Sequence, residues 1–261
     1  MVLAEWSTEQ ATTFFLVFTR MGGIMLFAPF LSDRAIPRKV KIAFALILAV
    51  LTFGHVGPAA HATGSTAGMI AGVAAELLVG IVIGLAMQLL MSAIQLAGEL
   101  IGHDIGFAIV NTVDPVTDQQ VSVIGQFQYF LALVIFLMLG GDAILIKGLV
   151  GSYEVVPLAG GSVTPGVVNV LVEISGSMFE LAIKVAAPGV AVLFLVTVAL
   201  GFLARTVPQM NVLIVGFPLR IGVGLAMLMI IMPVIYIAME GVAATAFEDT
   251  SALLRAMNAG H

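Results

Sequence analysis

The sequence predicts an all-α integral membrane protein with about six hydrophobic helical segments. Three observations carry that prediction. The first is composition: of 261 residues, 61% are hydrophobic and 10% charged, with a mean hydropathy of +1.16. Soluble domains average roughly 45–50% apolar and about 25% charged residues, so a water-facing surface cannot be built from this chain. The second is that the apolar residues fall in long charge-poor runs near the roughly 20 residues that cross a bilayer core. The third is the absence of ten-residue alternating segments, which excludes an outer-membrane barrel and leaves helices to satisfy the backbone within lipid.

The runs follow in order. Gln10–Leu31 is apolar apart from Arg20, and Ile42–Val56 comes next, short for a span. A small-residue stretch with one Gly-Pro step separates it from Met69–Gly98, which Glu76 alone interrupts and which is long enough to tilt or project. Gln119–Gly141, Val185–Ala204 (with Pro188 inside) and Ile221–Met239 carry no charge. Basic residues cluster once, at Arg34, Arg38, Lys39 and Lys41, which puts that loop in the cytoplasm and the N-terminus outside. Glu5 and Glu9 precede the first run where a secretory signal would be basic, so no cleaved signal is expected. The pattern R-x-[IV]-P occurs at Arg34–Pro37 and Arg205–Pro208, either as two independent helix starts or as the trace of a repeat.

Several function classes fall away. With no cysteine there are no disulfides, thiolate metal sites or thiol nucleophile. A formal charge of −5 argues against nucleic acid as a partner. No HExxH, no GxxxxGK[ST] loop and no Ser-His-Asp order is present, so neither an enzyme nor a cofactor is expected. Glu99, His103 and Asp104 are close in sequence, but no second His lies at ligand spacing, and a polar helix end explains them better than a metal site.

The charges inside apolar runs are Arg20, Glu76, Glu180 and Lys184. Each costs at least about 2.5–3.5 kcal/mol at a bilayer centre, so each must face protein, water or the interface. Glu180 and Lys184 are four apart and can pair on one helix face. A proton or ion relay would need a ladder of carboxylates, which is missing. Gly68, Gly72, Gly80 and Gly84 give G-x-x-x-G twice, a surface that lets helix backbones approach closely within the chain or against another subunit. The segment Gly102–Gln120 holds an apolar centre, Phe107 to Val110, between polar flanks and ends at Asp114-Pro115. It is too short to span, and reads either as a re-entrant or pore-plugging loop or as a loop packed on the protein's own surface.

Three blocks resemble the FliR family, an export-gate subunit of flagellar type III secretion related to the SctT subunit of injectisomes. They are APFLSDRAIPRKVKIAFAL (Ala28–Leu46), AELLVGIVIGLAMQLLMSAIQLAGELIGHDIGFAIVNTVDP (Ala75–Pro115) and APGVAVLFLVTVALGFLARTVPQMNVLIVGFPLRIGVGLAML (Ala187–Leu228). The last contains R-x-x-P-Q-x-N-x-x-x-x-G-F-P, supplied by Arg205, Pro208, Gln209, Asn211, Gly216, Phe217 and Pro218. Position 220 is Arg where the family pattern has Lys.

The resemblance implies one membrane domain over residues 1–261, with sub-blocks 10–56, 69–120 and 121–261. It also implies helical hairpins assembled with FliP-like and FliQ-like subunits, beside FlhB-like and FlhA-like proteins, in the bacterial inner membrane and flagellar basal body. Unfolded flagellar proteins would pass through that gate, and Gly106, Phe107, Ile109, Val110, Asp114 and Pro115 would belong to its pore plug. The alternatives are an injectisome homologue and a small-molecule or ion transporter, the latter requiring several ionisable groups at the midplane.

Overall fold

The computed structural model describes residues 8–33, 36–56, 66–106, 122–207, 209 and 211–258. These residues form seven helices and no strand: α1 Thr8–Phe27, α2 Arg38–Phe53, α3 Thr66–Ile105, α4 Val123–Met138, α5 Gly141–Val155, α6 Pro165–Thr206 and α7 Val212–Asn258.

Their ends follow from local chemistry. Pro29 stops α1, because a residue before proline is pushed out of the helical region. Pro37, extended at φ −56° and ψ 140°, opens α2. Gly106 closes α3 with φ 104°, a left-handed conformation that glycine adopts without a Cβ penalty. The Ser122 hydroxyl caps α4 by accepting from the Gly125 N–H at 3.1 Å. Gly140, with φ 78°, breaks the chain between α4 and α5. Proline begins α6, where its missing N–H has no intrahelical partner, and the Thr164 hydroxyl accepts from the Val167 N–H.

Each of the six apolar runs falls mainly on a helix where it is described, but they are unequal as spans. Among the described residues, α1, α3, α6 and α7 are long and apolar enough to cross a membrane, and the broken pair α4 and α5 makes five if it counts as one. The 16 residues of α2 reach only about 24 Å, short of a hydrocarbon core of roughly 30 Å. The expectation of about six spans is thus reduced by one or two. Helix α5 is an addition: it carries Asp142, Lys147 and Glu154, so no search for charge-free runs reveals it. The runs Val185–Ala204 and Ile221–Met239 are the apolar middles of much longer helices, of 42 and 47 residues.

The chain divides into two compact units, with α3, α6 and α7 contributing to both. The first contains residues 1–90, 140–175 and 243–261. In it α1 packs on α2, with the Phe14 and Phe53 rings edge to face at 5.9 Å. Helix α1 also crosses α3 at a glycine seam. A Cβ on Gly80 would lie 2.3 Å from the Arg20 carbonyl oxygen and 3.0 Å from the Gly23 Cα. One on Gly84 would lie 3.0 Å from the Ile24 carbonyl oxygen. Gly80 and Gly84 thus meet the α1 backbone directly; on the same helix Gly72 is buried and Gly68 half-buried. Thr164 and Ser162 donate to the carbonyls of Ala256 and Met257, tying the start of α6 to the end of α7.

The second unit contains residues 91–139 and 176–242. Here α3 and α4 meet through Gly98 and Gly125, where a Cβ on Gly98 would stand 2.8 Å from the Gly125 Cα. Leu200 of α6 packs against Gly216 of α7, and Ile105 of α3 against Gly224.

Adjacent glycines in α1 differ sharply, which yields a test. A Cβ on Gly23 would collide with the Leu77 carbonyl oxygen at 2.6 Å, whereas one on Gly22 meets nothing within 4 Å. Gly80→Ala and Gly23→Ala are expected to separate α1 from α3 and lower the thermal midpoint of the detergent-solubilised chain by several degrees. Gly22→Ala is expected to raise it or leave it unchanged, since helix propensity favours Ala by about 0.8–1 kcal/mol.

Candidate functional site

The only charged side chains buried among the described residues are Arg20 and Glu76, both 0% exposed. They are 56 positions apart, and the glycine seam places them together: the Gly80 backbone sits against the Arg20 carbonyl, one helical turn beyond Glu76. Arg20 Nε donates to Glu76 Oε2 at 2.6 Å and Nη2 to Oε1 at 3.0 Å, a two-pronged pair of the strong, geometrically specific kind.

Further hydrogen bonds surround the pair. Arg20 Nη1 donates to the Ser152 hydroxyl, which donates onward to the Leu149 carbonyl at 2.6 Å. Nη2 also donates to the Val156 carbonyl at 3.0 Å, and the Tyr153 ring lies 4.1 Å from the guanidinium carbon. Glu76 Oε1 additionally accepts the Ala159 N–H at 2.8 Å. Ala159 has φ 62°, a left-handed conformation costing an L-residue roughly 1–2 kcal/mol, which this charge-assisted bond offsets. One ion pair thus joins α1, α3, α5 and the turn leading to α6. Four of the five guanidinium N–H groups are bonded and both carboxylate oxygens accept, so the site is a structural clamp; the Tyr153 hydroxyl beside it is buried with no hydrogen-bond partner among the described residues.

The other expected residues lie elsewhere. Glu180 and Lys184 pair at 2.5 Å on one face of α6, but with 65% and 68% exposure. They stand just before the uncharged run Val185–Ala204, where a solvated pair of this kind contributes little to stability. His103 and Asp104 are 3.7 Å apart at the end of α3, while Glu99 accepts from Gln95 instead. Among the described residues no group of three or more such side chains converges on a metal position.

Of the C-terminal motif, Arg205 and Gln209 are exposed, and Gly216 is buried against Leu200. Asn211 accepts the Ile214 N–H through its carbonyl as α7 begins. Phe217 comes closest to Gly106, its ring 3.1 Å from where a Cβ would be, and Pro218 is exposed. Pro208 falls outside the described residues, as does Arg34 of the earlier R-x-[IV]-P match. Arg220 lines a cavity of about 850 Å³ with His103, Asp104 and Phe194. Of the plug residues only Gly106 is described; Phe107, Ile109, Val110, Asp114 and Pro115 lie outside the described residues.

Sequence reasoning singled out Arg20 and Glu76 separately but not as partners. It missed Ser152, Tyr153, Val156 and Ala159 entirely. Their signal was weak: a Ser-Tyr pair in a segment without a clean apolar run, followed by Pro157.

Fold and site define a multi-pass helical membrane protein whose interior charges hold the scaffold together. The description "Bacterial export proteins, family 1" matches residues 11–246. The flagellar biosynthetic protein FliR of Bacillus subtilis (strain 168) is 35% identical over 244 residues, covering 92% of this chain and 94% of that protein. FliR of Escherichia coli (strain K12) is 29% identical over 234 residues (90% and 89%), and that of Pectobacterium carotovorum 29% over 233 residues (89% and 87%). The chain belongs to this family of bacterial export proteins, as a FliR-type member.

The clamp makes a quantitative prediction. Glu76→Gln leaves the guanidinium buried without its counter-charge and is expected to cost about 3–5 kcal/mol, read as a lowered denaturation midpoint in detergent. The double variant Arg20→Met with Glu76→Leu removes both charges and is expected to recover most of that loss.

Proposed function

We propose that this chain is a core subunit of the bacterial flagellar type III protein export gate, forming part of the channel through which unfolded flagellar proteins leave the cell during assembly. The observation that carries the reading is similarity to FliR along 94% of the Bacillus subtilis protein, on a chain with four or five membrane-length helical elements. The subunit does no covalent chemistry and contributes wall and packing surface. It works in the inner membrane, within the flagellar basal body, with its N-terminus outside, as the basic cluster Arg34–Lys41 favours. Its partners are FliP-like and FliQ-like subunits, with FlhB-like and FlhA-like proteins adjacent.

A self-sufficient ion transporter fits poorly, because Arg20 and Glu76 are consumed by one another and by neighbouring backbone. No other charged residue among those described is buried.

Pull-down of the tagged chain from its host in mild detergent, followed by mass spectrometry, is expected to recover FliP-like and FliQ-like polypeptides in a stable complex. A monodisperse chain without them would overturn the reading. We further propose that Phe107, Ile109 and Val110 seal the resting channel. Replacing them with Gly is expected to raise small-ion conductance of the assembled gate in planar bilayers, and unchanged conductance would refute the seal.

A further inference from the structure

In the first unit, α1 and the start of α2 enclose a cleft of about 380 Å³ that the clamp and the gate reading leave unused. Its apolar lining includes Leu26 and Ile42, each 58% exposed at the edge of the helix pair. Its polar lining is Ser32, Arg38 and Lys41. Arg38 and Lys41 are three residues apart, hence neighbours on one helix face, and neither forms an ion pair with any described residue. Lys41 is only half-exposed, so its charge is held over the cleft and not displayed freely in solvent. Gly22 gives the cleft its depth: it lines the space, and a Cβ there would meet nothing within 4 Å.

We infer that this cleft binds an anionic phospholipid of the surrounding membrane, with the phosphate between Arg38 and Lys41 and the start of an acyl chain along Leu26 and Ile42. Charge and apolarity select this occupant together. Two cations with no ion-pair partner among the described residues, above an apolar floor at the end of a membrane-length helix, match a headgroup that is negative where it meets the hydrocarbon. A zwitterionic headgroup would bring a second cation toward Arg38 and Lys41. Free phosphate would leave the apolar half of the cleft in water. The inference depends on the α1–α2 pair alone and holds whether or not the chain works in an export gate.

Native mass spectrometry of the full-length chain, delipidated in mild detergent and titrated with phosphatidylglycerol or phosphatidylcholine, tests it. Wild-type protein is expected to retain phosphatidylglycerol about tenfold better than phosphatidylcholine. Arg38→Gln with Lys41→Gln is expected to abolish the preference, and Arg38→Lys to keep most of it. Gly22→Leu, which fills the cleft without touching either charge, is expected to lower phosphatidylglycerol retention to the phosphatidylcholine level. Equal retention of the two lipids by wild type would overturn the inference, as would a preference that survives Gly22→Leu. Displacement of phosphatidylglycerol by millimolar inorganic phosphate would also overturn it, by showing a simple anion site. Each variant is compared at matched far-UV circular dichroism and monodisperse elution, so loss of fold is not read as loss of binding.

Discussion

The Arg20–Glu76 pair is the constraint on which the first unit is built. Desolvating two opposite charges is costly unless their hydrogen-bonding valences are answered, and the surrounding chain answers most of them from α1, α3, α5 and the turn before α6. The geometry needed is narrow. The guanidinium fork meets the carboxylate where α1 and α3 lie almost backbone to backbone, an approach that Gly23, Gly80 and Gly84 allow. Apolar packing in lipid has no strong preference among helix partners, so charge complementarity supplies the register that hydrophobicity cannot.

The glycines and the charges are therefore one device. In hydrocarbon, small residues bring backbones together, and a buried polar contact fixes which turn faces which. The second unit uses the first half of that arrangement, at Gly98 with Gly125, and fills its other contacts with apolar side chains such as Ile105 against Gly224 and Leu200 against Gly216. None of the ionisable groups on its long helices is fully buried among the described residues, and Glu180 and Lys184 are exposed just before an uncharged middle.

What was legible in the sequence follows from which forces act locally. Helical class and apolar middles could be read because lipid imposes backbone satisfaction residue by residue. The helix ends were written in Pro29, Pro37, Ser122, Gly140 and Pro165, each acting within a turn of itself. Helix α5 was hidden because it is short and charged, and the shortness of α2 showed in its run of Ile42–Val56, which was counted as a span all the same. The clamp was half-visible. Arg20 and Glu76 stood out as charges in apolar runs, yet nothing in one sequence states that residues 56 apart are partners. Ser152 and the carbonyl of Val156 could not be seen at all, since any hydroxyl or carbonyl serves equally well until the fold selects one.

The separation of the clamp's members along the chain also has a consequence for how the protein is made. Arg20 emerges from the ribosome 56 residues before Glu76, and Ser152 follows Arg20 by 132. At roughly 5–20 residues per second, the first helix waits about 3–11 seconds for its carboxylate and longer for the hydroxyl. During that interval a bare guanidinium must be sheltered by the insertion machinery, the headgroup layer or water. The helix order of the finished molecule is thus also a timetable, in which the first hydrophobic segment cannot settle until the third has been synthesised.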